Sequence, residues 1–202
     1  MGDLALSYTM LGRCEDAITC LLICLSPRLQ VGMPNRVESG LLSQLADIYN
    51  MDGNYGLAIT TAKKALALAK VADYQMGEYT AYRCIGVAYV YTHKLDLGIE
   101  YTHKGLVLAL QAGDREIQIT SYRLLGVAHR LKAEENQHTP ALRLLLLRKA
   151  LDFATKSFNM VQETGESMAG VHNRIADVYE DMGQYEKAAE HRQLSVSPVG
   201  RV

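Results

Sequence analysis

The strongest constraint on this chain is that it repeats itself at a spacing of 40 residues. The run Tyr82-Arg83-Cys84-Ile85-Gly86-Val87-Ala88-Tyr89 returns as Tyr122-Arg123-Leu124-Leu125-Gly126-Val127-Ala128-His129. The same spacing maps Ala46 onto Gly86, Tyr49 onto Tyr89 and Ala58 onto Gly98. A fixed period of this size implies a stack of similar supersecondary units, each burying its apolar face against the next.

Each unit follows one plan. A small residue is followed three positions later by an aromatic or His, then by a turn. A second small residue comes twelve positions after the first. Ala46, Tyr49, Gly53, Tyr55 and Ala58 show this fully, and Ala176, Tyr179, Gly183, Tyr185 and Ala188 repeat it; Ala5, Tyr8, Gly12 and Ala17 give the opening version. Two antiparallel helices joined by a short turn approach closely only where a small residue lies between them, and the large ring fills the space beside that contact. Glycine at 12, 53 and 183 suits the left-handed backbone with which helices commonly end. Ala58, Ala62, Ala65, Leu66 and Ala69 then carry the apolar spacing of a second helix.

This pattern of small–x–x–Tyr, then Gly–x–Tyr–x–x–Ala, resembles the tetratricopeptide repeat over nearly the whole chain. The usual unit is about 34 residues, and the longer unit here is similar to those of the G-protein-signalling-modulator (LGN-like), rapsyn and kinesin light chain families. The resemblance implies an all-α fold, a right-handed α-solenoid of about five helix pairs. It also implies a scaffold or adaptor that holds a partner segment in a concave groove.

The expected organisation is one array over 1–196, with units at about 3–26, 37–71, 75–112, 115–164 and 167–196, and a disordered tail over 197–202. Pro27, Gly32 and Pro34 break the helix after the first unit. The fourth unit departs from the plan. Ala133 holds the turn position, and the next matching small residue is Ala150, which places an insertion near 134–147. Glu134 to His138 reads as a polar loop, and Thr139-Pro140 as the cap and first turn of a lengthened second helix. Leu142, Leu144, Leu145, Leu146 and Leu147 follow. Two readings stand for them: cover for the extended first helix of the same unit, or a contact surface for a partner or second copy. The first unit looks clipped and no polar capping helix follows the last, so the chain is expected either to be part of a longer array or to bury an end by self-association.

First helices line the groove in this architecture. Positions three before, one after and four after the small residue are expected to face it. That rule selects Ser43, Asp47 and Asn50, then Arg83, Val87 and Val90, then Arg123, Val127 and Arg130, and finally Asn173, Asp177 and Glu180. The groove would be positive in its middle and acidic toward the C-terminal end. Stacked arginines among apolar neighbours suit an acidic, partly apolar peptide through bidentate contacts. Chaperone-tail binders place Lys and Asn at matching first-helix positions. Here those positions hold Gly2 and Leu6, Ser43 and Asp47, and Arg83 and Val87, so that clamp is absent.

Other classes find little support. A net charge of -1 gives no strong attraction for nucleic acid or anionic membrane. No apolar run reaches the ~18 residues of a membrane span, and the start lacks a signal-peptide pattern, which predicts a cytoplasmic protein. Cys14, Cys20 and Cys24 have no zinc-spaced partners and read as reduced thiols. No phosphate loop, G-x-S-x-G or H-E-x-x-H motif occurs, and His129 replaces a packing tyrosine. The chain is therefore expected to be non-catalytic, with no metal and no cofactor. Its expected function is to bind a protein or peptide; a self-associating repeat module, or the sensor part of a larger signalling protein, is the alternative.

Overall fold

A computed structural model describes residues 2–26, 32–164 and 168–196. Among the described residues there are ten helices: α1 (Gly2–Met10), α2 (Cys14–Cys24), α3 (Asn35–Met51), α4 (Tyr55–Val71), α5 (Gln75–Tyr91), α6 (Leu95–Ala112), α7 (Arg115–Glu135), α8 (Pro140–Thr164), α9 (Ala169–Asp181) and α10 (Tyr185–Val196). The break expected at Pro27 and the tail expected over 197–202 lie outside the described residues. Two compact units divide the chain, Met1–Ile117 and Gln118–Val202.

One hydrogen-bond motif ends most of the helices. At the close of α1, Arg13 N–H donates to the Tyr8 carbonyl at 2.9 Å, and Gly12 N–H to Thr9 at 3.0 Å. Asn54 to Tyr49 (2.8 Å), Lys94 to Tyr89 (2.9 Å) and Gln184 to Tyr179 (2.8 Å) repeat the longer bond at the ends of α3, α5 and α9. This paired return satisfies the last helix carbonyls and needs a left-handed residue between. Gly12, Gly53 and Gly183 supply it, with φ of 70°, 77° and 73°, and His93 takes the same place at 57°. The recurring aromatic is thus the residue whose carbonyl receives the returning chain.

The fourth pair lacks this exit. Ala133 stands at the turn position, is fully buried, and stays helical, because alanine favours the helix over a left-handed exit. The first helix therefore runs on to Glu135, reaching 21 residues against 17 in α3 and α5. Asn136 closes it, donating Nδ2 to the Lys132 carbonyl at 2.7 Å. The second helix, α8, lengthens to match, at 25 residues against 17 in α4. Leu146 and Leu147 are buried with Ala133, Ala150 and Val178, whereas Leu142, Leu144 and Leu145 are 38%, 40% and 51% exposed. The leucine run is split between these two environments.

Small residues set the helix spacing in the first unit. A Cβ added at Gly86 would lie 2.5 Å from Thr102 Oγ1 and 3.2 Å from its backbone nitrogen; one at Gly98 would lie 2.6 Å from Val90 Cγ2 and 3.0 Å from its nitrogen. Beside this contact, Cys84, Ile85, Ala62 and Ala46 are buried together with Tyr89, whose ring lies 5.6 Å from that of Tyr101. In the second unit His129 takes the tyrosine place and stacks on Phe153 at 5.5 Å and 11°. It is a packed ring, 7% exposed.

Gly86→Ala should force α5 from α6 and lower stability by about 1–3 kcal/mol. Urea unfolding should show a lower midpoint at an unchanged slope.

Candidate functional site

The residues selected by the groove rule fall in both units, each of which has its own cleft. In the first unit, Asp47 and Arg83 line a cleft with Ala5, Thr9, Gln44, Ile48 and Met51. Arg83 Nη2 forms an ion pair with Asp47 Oδ2. The Cys84 thiol donates to Asp47 Oδ1 at 3.3 Å. Burial, and then the Asp47 carboxylate, push that thiol well above its ordinary pKa and keep it protonated. Asn50 Nδ2 donates to the Cys84 carbonyl at 3.0 Å, while Asn50 Oδ1 is buried without a partner among the described residues.

Ser43 corrects the groove rule. It is 3% exposed, its carbonyl faces the Cys84 thiol at 3.7 Å, and it does not line the cleft. Ser39, Ser43 and Ala46 stand at i, i+4 and i+7 on one helix stripe, and all three are buried. The position three before the small residue is therefore a buried one. Arginine there reaches outward only because its stem is long; the Nε atoms of Arg83 and Arg123 are themselves buried. Val90 is also fully buried, against Gly98, and Val87 is half-buried.

In the second unit the selected residues converge. Arg123, Val127 and Arg130 of α7 and Asp177 of α9 line one cleft, together with Arg174. Gly126, Ala150, Ala154 and Val178 complete its lining. Here the spacing is looser than at Gly86: a Cβ on Gly126 would stand 3.4 Å from the Ala150 carbonyl, an ordinary contact.

The charges of this cleft are interlocked. Arg130 Nη1 lies 3.4 Å from Asp181 and 3.9 Å from Asp177. Arg192 of α10 reaches Asp177 at 2.6 Å and Glu180 at 3.2 Å, and Arg143 donates to the Asp181 carbonyl at 2.6 Å. The expected division into a positive middle and an acidic end is thus replaced, within this unit, by arginines and carboxylates facing each other. Asn173 is exposed and stands apart from the cleft lining.

Sequence reasoning missed Arg174. It precedes the small residue Ala176 by two positions, outside the rule, yet it sits one helical turn before Asp177 and so shares its face. Among the described residues, no group of three or more His, Cys, Asp or Glu side chains converges as a metal site would require. No helix of the described residues is long and apolar enough to cross a membrane.

No family model matches the sequence, and no curated protein matches it. Solved structures do. The chain is similar to a Rap protein complexed with Competence and Sporulation Factor, at a TM-score of 0.79 and 12% identity, covering 95% of this chain and 51% of that one. It is also similar to the Rap conjugation gene regulator of plasmid pLS20 in complex with the Phr* peptide, at a TM-score of 0.75 and 16% identity over 95% and 50% of the two chains. A third is a kinesin-light-chain-type protein of Podosopora anserina with nearly identical TPR-like repeats, at a TM-score of 0.67, 15% identity, and 96% and 90% coverage. The chain spans about half the length of these two Rap structures. It has a tetratricopeptide-repeat fold, the all-α helix-pair class that its spacing implies.

Asp47→Ala should leave the Arg83 guanidinium without its carboxylate and the Cys84 thiol with only the longer contact to the Ser43 carbonyl. A loss of about 1–3 kcal/mol is expected, read as a lower urea midpoint.

Proposed function

We propose that the chain is a non-catalytic scaffold or adaptor that holds a segment of a partner protein against its first helices, with the principal recognition cleft in the second unit. The observation that carries this reading is the convergence of Arg123, Arg130, Arg174, Val127 and Asp177 on one cleft with a lining of small residues. Arg123, Arg130 and Arg174 beside aliphatic side chains suit an acidic and partly apolar segment. Asp177 and Asp181 engage Arg130, and Arg174 also donates to the Gly170 carbonyl at 2.9 Å. The Rap structure solved with the Phr* peptide supports a peptide ligand for this fold. Four free cysteines support a reducing compartment and so a cytoplasmic setting, where a signalling role fits.

The test is an array of immobilised peptides that vary acidic and aliphatic content, probed with the full chain. Acidic–aliphatic peptides should be retained over basic ones. Arg123→Glu combined with Arg174→Glu should weaken that binding by about tenfold or more, with the helical circular dichroism unchanged. Retention independent of peptide charge would sink the reading.

A second reading rests on Leu142, Leu144 and Leu145, which are 38%, 40% and 51% exposed on α8. Such a patch fits self-association. Sedimentation velocity should then show a dimer that Leu142→Glu with Leu145→Glu converts to monomer. A monomer at every concentration of the unmodified chain would remove this reading.

A further inference from the structure

The recognition cleft leaves one polar cluster of the second unit unexplained. His172 of α9 and His191 of α10 face each other with their Nδ1 atoms 3.0 Å apart and ring centroids at 5.2 Å. His172 is 8% exposed and takes the edge of Phe158 of α8 at 5.1 Å; His191 lies against the ring of Tyr179 at 5.7 Å. For the two nitrogens to bond, one must carry a proton and the other a lone pair. This contact holds in the neutral pair and in the singly protonated pair. With both imidazoles protonated, two N–H groups and two positive charges meet at a distance where no bond can form.

The helix that depends on this contact has little else to hold it. Among the residues of α10, only Ala188 is buried. Arg192 pairs with Asp177 and Glu180, and Lys187 lies 5.4 Å over the Tyr179 ring. Glu190, on α10 itself, is the charge that favours protonation of His191. The pair is therefore met by the ring of Phe158 of α8 and the ring of Tyr179 of α9, with Glu190 of α10 as the charge acting on His191.

We propose that the His172–His191 contact is an acid-released latch, in which protonation of both rings frees α10 from α9. Burial lowers the pKa of His172, and burial followed by the neighbouring His172 lowers that of His191, with Glu190 opposing. A lowered folded pKa means that the closed state favours neutral rings. Its stabilisation is complete above the unfolded value of about 6.5 and is lost as pH falls through the lowered folded values. Carboxylates as a class titrate about two units below imidazoles, which separates the latch from acid loss of ion pairs. Release of α10 withdraws Arg192 from Asp177, so the latch also alters the charge of the recognition cleft. The latch itself does not depend on what that cleft binds.

Hydrogen exchange of the full chain without ligand, corrected for the intrinsic pH dependence of exchange, tests this directly. Between pH 7.5 and 5.0, protection over 185–196 should fall by about tenfold or more, while that of α5 and α6 changes little. His191→Gln keeps a hydrogen-bonding amide that cannot titrate, and should flatten the pH response. His172→Lys combined with His191→Lys, which places two cations there at every pH, should show the open behaviour already at pH 7.5. Unchanged protection of 185–196 in the unmodified chain, or an equal loss in His191→Gln, overturns the latch. Imidazole titration by NMR gives a check that needs no variant: His172 and His191 should both titrate below about 6.5, and a higher value for either overturns it.

Discussion

Everything else in this fold depends on how each first helix stops. The chain leaves it through a left-handed residue and returns two backbone N–H groups to the last turn, one of them to the carbonyl of the recurring aromatic. That exit fixes the length of the first helix and the point at which the second begins, and so sets which small residues meet. Gly86 and Gly98 come into contact because the turn between them brings the chain back at the right height. The tyrosine has two roles: its ring fills the space beside the small contact, and its carbonyl anchors the turn. Only the first is visible in a residue pattern, because any residue has a carbonyl.

The same constraint explains the irregular pair. An alanine at the exit position carries a Cβ that disfavours the left-handed backbone and a high preference for the helix. The helix therefore continues, and α8 must lengthen to cover it. Leu146 and Leu147 provide that cover against Ala133, while the leucines just before them extend past it. The insertion was legible in the sequence as a mismatch in spacing. That it extends both helices, and does not form a loop alone, follows from the identity of one residue at the exit.

The site was less legible than the fold, for a geometric reason. Helical periodicity assigns a direction to each Cβ, but the position of a functional group depends on how far its side chain reaches. Ser43 and Arg83 stand at equivalent places in successive units, and one is buried while the other reaches a cleft. A rule based on position alone treats them alike. Arg174 shows the converse error, since its Cβ lies off the selected rows and its long side chain still lines the cleft. The His172–His191 contact joins residues from the two helices of one pair, and neither belongs to the repeat pattern. No periodic signal marked it.

Charge pairing alters what such a site can select. Read as a sequence, Arg83, Arg123 and Arg130 form a positive series; in the folded units, Arg83 meets Asp47, and Arg130 meets Asp177 and Asp181. An incoming carboxylate must displace an internal one at those places, so the net gain there is small even where the geometry is good. Discrimination between ligands then falls more on the shape set by Gly126, Ala150 and Ala154. The internal carboxylates also prevent the opposite failure. They keep the arginines from being buried as uncompensated charges when the cleft is empty, and they hold each guanidinium in a fixed orientation before a ligand arrives.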